Sequence, residues 1–322
     1  MPASRRGRRR RRGGGAVLDG VSCRIAADVG GRRPPVHASV RGDRPVRGDV
    51  NVWTTPLRYE RLTWPEVRRA AGENRVALIP VGTLEDHGPH LPLDADLRII
   101  SEICSRAAQA ASDDVVLLPP IPHGYDPHHM DFPGPISIGW DTFTRYCADV
   151  GLSLAHHGFR RMLYLNGHGS NQNLVEMAAR LVNVQAPGTL AAAAFYLTSP
   201  EGLAAVARVR ESTIGGMAHA CELETSIYLA IDPDAVAMDR AVDEQSYPAG
   251  EHAWFDWADG SLHLMPWWSS FSRTGVQGSP TLATAEKGRA LLDAAVEECV
   301  SYVRELRAKP LGERRDPVER LP

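Results

Sequence analysis

The chain has 322 residues, 43% of them hydrophobic, enough for a sizeable core in one large domain or two small ones. It has no apolar run of about 18 residues, which argues against a membrane-spanning helix. Seven arginines crowd the first twelve residues, MPASRRGRRRRR, and removing them from a formal net charge of −3 leaves −10 on the rest, a poor surface for nucleic acid. That start lacks the apolar centre of a secretory signal. Residues 1–52 therefore read as a solvated extension, able at most to bind polyanions. Five scattered cysteines (Cys23, Cys104, Cys147, Cys221, Cys299) with no CxxC spacing suit reduced thiols and a cytoplasmic location.

Ordered structure is expected from about Tyr59. Thr63-Trp-Pro-Glu66 has the spacing of a capping box and opens a short helix to about Ala71. Val76–Val81 is short, partly β-branched and closed by Gly82, as a buried strand is. Leu97, Ile99, Ile100, Ile103, Cys104, Ala107 and Ala108 recur at helical spacing and predict a helix to about Ala111. Val115–Leu118 reads as a second strand, followed by a histidine-rich loop from His123 to Ile138. A helix over Thr142–His157 should end at Gly158. Met162–Leu165 is a third strand, and Asn166-Gly-His-Gly-Ser-Asn171 turns into a helix that Asn171 starts. Leu190–Tyr196 is a fourth strand. Helices are predicted over Glu201–Val209, Glu222–Ile231 and Ala283–Ala308. Residues 241–279 read as an irregular, tryptophan-rich lid or subunit contact, and residues 311–322 as a charged tail. Residues 53–310 would form one domain. Strand–helix alternation of this kind implies α/β architecture, three layers with a mostly parallel central sheet, and all strand C-termini on one edge.

That edge is where ligands sit in open α/β sheets. Glu85, Asp86, His87, His90, Asp94 and Asp96 follow the first strand directly, and buried charges there need a partner. Glu85 and His87 project to one side of extended chain, and a loop brings Asp96 back toward them. His168 leaves the third strand between two glycines. Carboxylates and imidazoles without thiolate favour Zn²⁺, Mn²⁺ or Fe²⁺. A third group, His219-Ala-Cys-Glu222-Leu-Glu224, places a carboxylate at the start of a helix.

Four ordered blocks, TLEDHGPHLPLDAD, HMDFPGPISI, NGHGSN and HACELETS, together resemble the signature blocks of the creatininase (creatinine amidohydrolase) family over about Leu62 to Asp234, and GSPTLATAEKG resembles its C-terminal block. The resemblance implies a metal-dependent amidohydrolase with two divalent ions, zinc before manganese or iron, in which a metal-activated water hydrolyses a small-molecule amide or cyclic amide. It also implies assembly into a homohexamer. Carried over by position, it makes Glu85, His87, Asp96 and His168 metal ligands, with Asp96 bridging, and His219 the catalytic histidine. A ligating glutamate of the family falls at Ser170 here, so Glu222 is expected to complete the second site and share in catalysis, with Glu224 in reserve. His129, Ser170 and Glu224 are expected to contact substrate, whereas His123, His128 and His157 read as structural or solvated. Creatinine ring opening, formamide removal and peptide trimming compete as activities within the family. A non-catalytic ligand-binding protein and a polyanion-binding protein are the rivals from other classes.

Overall fold

The computed structural model describes residues 57–258 and 260–313. The expected arginine-rich extension and the end of the charged tail lie outside the described residues. In chain order the elements are β1 (Leu57–Arg58), α1 (Trp64–Gly72), β2 (Val76–Val81), α2 (Ala95–Ala110), β3 (Val115–Leu117), α3 (Trp140–His156), β4 (Arg161–Asn166), α4 (Gln172–Gln185), β5 (Leu190–Phe195), α5 (Pro200–Val209), β6 (Met217–His219), α6 (Glu222–Ile231), β7 (Gln277–Gly278) and α7 (Ala285–Ala308). The capping box forms as expected: Glu66 accepts from the Thr63 backbone N–H at 2.7 Å and opens α1.

The first five strands make one parallel sheet in the order β1-β3-β2-β4-β5. Alternation in the two central strands sends side chains to opposite faces. Val76 and Leu78 of β2, with Leu163 and Leu165 of β4, join α2, α6 and α7 in one core. Ala77, Ile79 and Val81, with Met162 and Tyr164, join α3 and α4 in the other. The sheet is therefore covered on both faces, and all its strands end on one edge. Pro80 sits inside β2, normally a poor place for proline. Its carbonyl accepts from Ile121 N–H on the side where β3 has already ended at Leu117, so no ladder donor is lost there.

The expected four strands gain three short ones. Two-residue β1 extends the sheet, and β6 pairs antiparallel with β7 in a ribbon beside it. Met217 pairs with Gly278 across the tryptophan-rich segment. The four described cysteines are buried and free. Among the described residues no helix is long and apolar enough to cross a membrane.

Candidate metal centre

Two glycines let α2 approach the strand ends. A Cβ on Gly82, just past β2, would lie 2.7 Å from Leu97 Cα, and one on Gly167, just past β4, would lie 3.0 Å from the Asp96 carbonyl. The first turn of α2 thus packs onto the ends of β2 and β4 and carries Asp96 into the loop that holds Glu85 and His87. Past β4, Asn166 brackets the next ligand: its Oδ1 accepts from His168 N–H at 3.1 Å and its Nδ2 donates to the His168 carbonyl at 2.7 Å. Past β6, Ala220 takes a left-handed turn (φ 51°), strained for a residue with a Cβ, and swings the chain into α6.

These turns bring four chain segments to one buried cluster. His168 Nδ1 lies 3.1 Å from Glu85 Oε1 and 3.2 Å from Asp96 Oδ2. His87 Nε2 lies 3.2 Å from Asp96 Oδ1, 3.8 Å from Glu85 Oε1 and 3.9 Å from Glu224 Oε1. Glu85, Asp96 and His168 form one group able to hold a cation, and His87, His219 and Glu224 form another. Glu85 Oε2, His87 Nε2 and Asp96 Oδ2 are buried without a hydrogen-bond partner. Orphaned buried groups of this kind carry a desolvation cost that a divalent ion would remove, so the donor set fits one. The electrostatics agree. Burial and the neighbouring carboxylates of Asp96 and Asp126 push Glu85 well above the usual range. Burial opposes charge on His87, but Asp96, Glu224 and Glu85 outweigh it and hold the imidazole up at about 10.

Glu222 points elsewhere. Its oxygens accept from Glu211 N–H at 3.0 Å, Ser212 N–H at 2.9 Å and Lys287 Nζ at 2.6 Å. The expectation that Glu222 completes the second ligand set is corrected here: its carboxylate is already satisfied, and Glu224 reaches the cluster instead. Residues two apart on a helix project about 200° apart, so only one of the pair can face the strand ends.

His219 Nε2 lies 2.7 Å from the Asp86 carbonyl, which assigns it the N–H and leaves Nδ1 toward Glu85 Oε1 at 3.6 Å. Burial, then His87, lowers its pKa well below that of free histidine. His129 is buried with Nδ1 3.4 Å from Glu85 Oε2. Ser170 bonds His128 Nε2 at 3.3 Å. His90 is held by Thr225 Oγ1 at 2.9 Å, away from the ligand atoms.

His128 is buried beside Asp126, the structural one of its two expected readings, and Asn171 stands at the start of α4 as expected, without a side-chain cap bond. Asn171 instead accepts from Tyr125 N–H at 2.9 Å and donates to the Gly82 carbonyl at 3.2 Å, stapling three strand-end loops together. Asp126 is a site residue that sequence reasoning missed, and Trp268 is one it placed only within a segment. The run Asp126-Pro-His-His129 was the available signal for the first. Trp268, buried, packs its ring 4.4 Å from His129 and 4.9 Å from His219, so the tryptophan-rich segment forms a wall of the site.

The cluster opens into a cavity of about 220 Å³ lined by Phe195, Thr198, Phe255, Trp257 and Met265 as well as the ligands. An adjoining cavity of about 460 Å³ shares His128, Ser170, Gln172, Phe255 and Met265 with it and adds Tyr247, Trp254 and Leu262.

A buried carboxylate–imidazole set facing a cavity at the carboxyl edge of a parallel sheet marks the chain as a metal-dependent hydrolase. The chain belongs to the creatininase family, creatinine amidohydrolase, which residues 60–303 match. It is similar to the mycofactocin precursor peptide peptidase of Mycobacterium ulcerans (strain Agy99), 32% identical over 266 residues, covering 80% of this chain and 92% of that one. It is also similar to the creatinine amidohydrolase of Pseudomonas putida, 27% identical over 257 residues, covering 76% and 95% of the two chains. Among solved structures, one described as "Creatininase Mn" superposes with a TM-score of 0.67 at 25% identity, covering 79% of this chain and 100% of that one.

Proposed function

We propose that this chain hydrolyses an amide C–N bond with two divalent ions held by Glu85, His87, Asp96, His168 and Glu224. Asp96 carries this reading: its Oδ1 and Oδ2 each lie 3.2 Å from a different imidazole, as a carboxylate lying between two ions would require. Such ions polarise a carbonyl, and zinc brings the pKa of its bound water to about 7. Zinc is the first expectation, with manganese or iron next. A hexamer is what the family resemblance implies, and the scattered cysteines suit the cytoplasm.

The residues of this chain do the rest. With its Nε2–H given to Asp86, His219 offers Nδ1 to the attacking water, takes its proton and returns it to the leaving nitrogen. The C–N bond breaks to give an acid and an amine, with one water consumed. Trp268, packed on His129 and His219, keeps solvent from that side of the site.

A second reading, cleavage at a peptide end, rests on the adjoining cavity. A single small ring would fill the inner space alone, whereas a peptide could extend outward past Ser170 and Met265. The relative of 32% identity is named a precursor peptide peptidase. Elemental analysis, together with hydrolysis of cyclic amides, formamides and short peptides, tests both readings. Glu85→Gln and His168→Ala should each strip metal and activity together. Full metal content in Glu85→Gln would sink the assignment.

A further inference from the structure

Beside the ligand pair lies another set of ligand-type side chains. Asp126 Oδ1 is 3.5 Å from His128 Nδ1 and 3.9 Å from His129 Nδ1. The three residues form a buried group able to hold a cation. Asp126 is 0% exposed and His129 1%, and neither oxygen of the first nor either nitrogen of the second has a hydrogen-bond partner. Four orphaned polar atoms on two fully buried side chains would cost several kcal/mol if nothing bound them. A fourth donor stands next to them: Glu85 Oε2, also without a partner, lies 3.4 Å from His129 Nδ1. Ligand atoms around a tetrahedral zinc at about 2.1 Å are roughly 3.4 Å apart, and the three spacings given, 3.4, 3.5 and 3.9 Å, are close to that. The local chain is built for it. Pro127 starts a one-turn 3-10 helix over Pro127–His129, which puts consecutive histidines on the side of Asp126. Two side chains hold that turn from outside: Ser137 Oγ accepts from Asp126 N–H, and Asn171 accepts from Tyr125 N–H.

We propose that Asp126, His128 and His129, with Glu85 Oε2, form a further divalent-cation site. Glu85 then faces two ways, Oε1 toward His168 and Oε2 toward His129. The proposal rests on the two-ion reading only through that shared carboxylate. Two divalent ions already neutralise the four buried carboxylates Glu85, Asp96, Asp126 and Glu224. An additional ion must therefore enter with an anion of its own, a hydroxide or an anionic substrate group, and is the most weakly held.

Zinc titration of the metal-stripped full chain, with bound zinc counted by elemental analysis, tests this. Asp126→Asn and His128→Gln should each saturate one equivalent per chain below the wild type. Crystals of the wild type grown with excess zinc should show an anomalous peak between Asp126 and the two imidazoles. His128→Gln is the cleaner variant, because the polar partners of His128 are Asp126 and Ser170, whereas Asp126 Oδ1 also lies 4.0 Å from Nε2 of the ligand His168. The site is refuted if both variants hold as much zinc as the wild type and no such peak is present. The two-ion reading fails separately, if Glu224→Gln keeps the full count.

Discussion

Glu222 and Glu224 sit in the same turn of α6 and face opposite worlds, one a lysine and two amides, the other a ring of imidazoles. The contrast makes a sharp prediction. Glu224→Gln should lose about one metal equivalent and most activity, measured by elemental analysis and kcat. Glu222→Gln should keep both and lose stability by about 1–3 kcal/mol in urea denaturation, since Lys287 is left near-buried with a weaker partner. Lys287 and the two amides hold Glu222 below the usual carboxylate range despite burial. Its stabilisation is therefore complete above its unfolded pKa and vanishes as pH falls through the lower folded value. The two proteins' urea midpoints should converge in acid. For His219→Asn the expectation is retained metal with kcat down about 10²–10⁴-fold, the usual scale of proton-transfer catalysis. Sequence spacing made both glutamates candidates. It could not choose between them, because the phase of α6 is set by the strained turn at Ala220 and by Lys287, more than sixty positions on in the chain.

At the scale of elements, the long strands and helices were legible because their periodicity is local. β2, α2, α3, β4 and α4 lie within two residues of expectation. β1, β6 and β7 were not legible, since two or three residues carry no period and their partners are distant. The ribbon of β6 and β7 exists because residues 241–276 fold back to it, a fact of tertiary packing. Asn171 starts α4 as expected, but the bonds of its amide were not legible for a similar reason: the 3-10 turn over Gly169–Asn171 points it at the neighbouring loops. Asn171→Ala would leave Tyr125 N–H and the Gly82 carbonyl unpaired, costing about 2–3 kcal/mol. It should also lower kcat, because the loops carrying His168, Asp126 and Glu85 lose their common staple. Chemical denaturation and steady-state kinetics on the one variant check both halves.

For the molecule as a whole, the two-ion reading makes metal a folding ligand of the buried carboxylates. Stripping the ions with a chelator should lower Tm by on the order of 5–10 °C, the shift expected when a ligand at about a hundred times its Kd is removed, and readdition should restore it. Scanning calorimetry with and without chelator decides this. Helix α7 closes the core: Leu291, Leu292, Cys299, Val303 and Leu306 pack with β2, β4, α2 and α6, and Arg161 at the start of β4 donates to the Leu306 carbonyl at 2.8 Å. It approaches α6 so closely that a Cβ on Gly288 would lie 1.8 Å from the Ser226 carbonyl. Gly288→Ala should destabilise by at least the 1–3 kcal/mol typical of overpacking, read from the same scans. The position of α7 has a consequence for biosynthesis. The ribosome releases every ligand of the cluster before it has made α7, which with α2 and α6 covers one face of the sheet. A nascent chain stopped at Leu282 should stay open to protease and bind no ion tightly. Metal uptake then waits until α7 has left the exit tunnel.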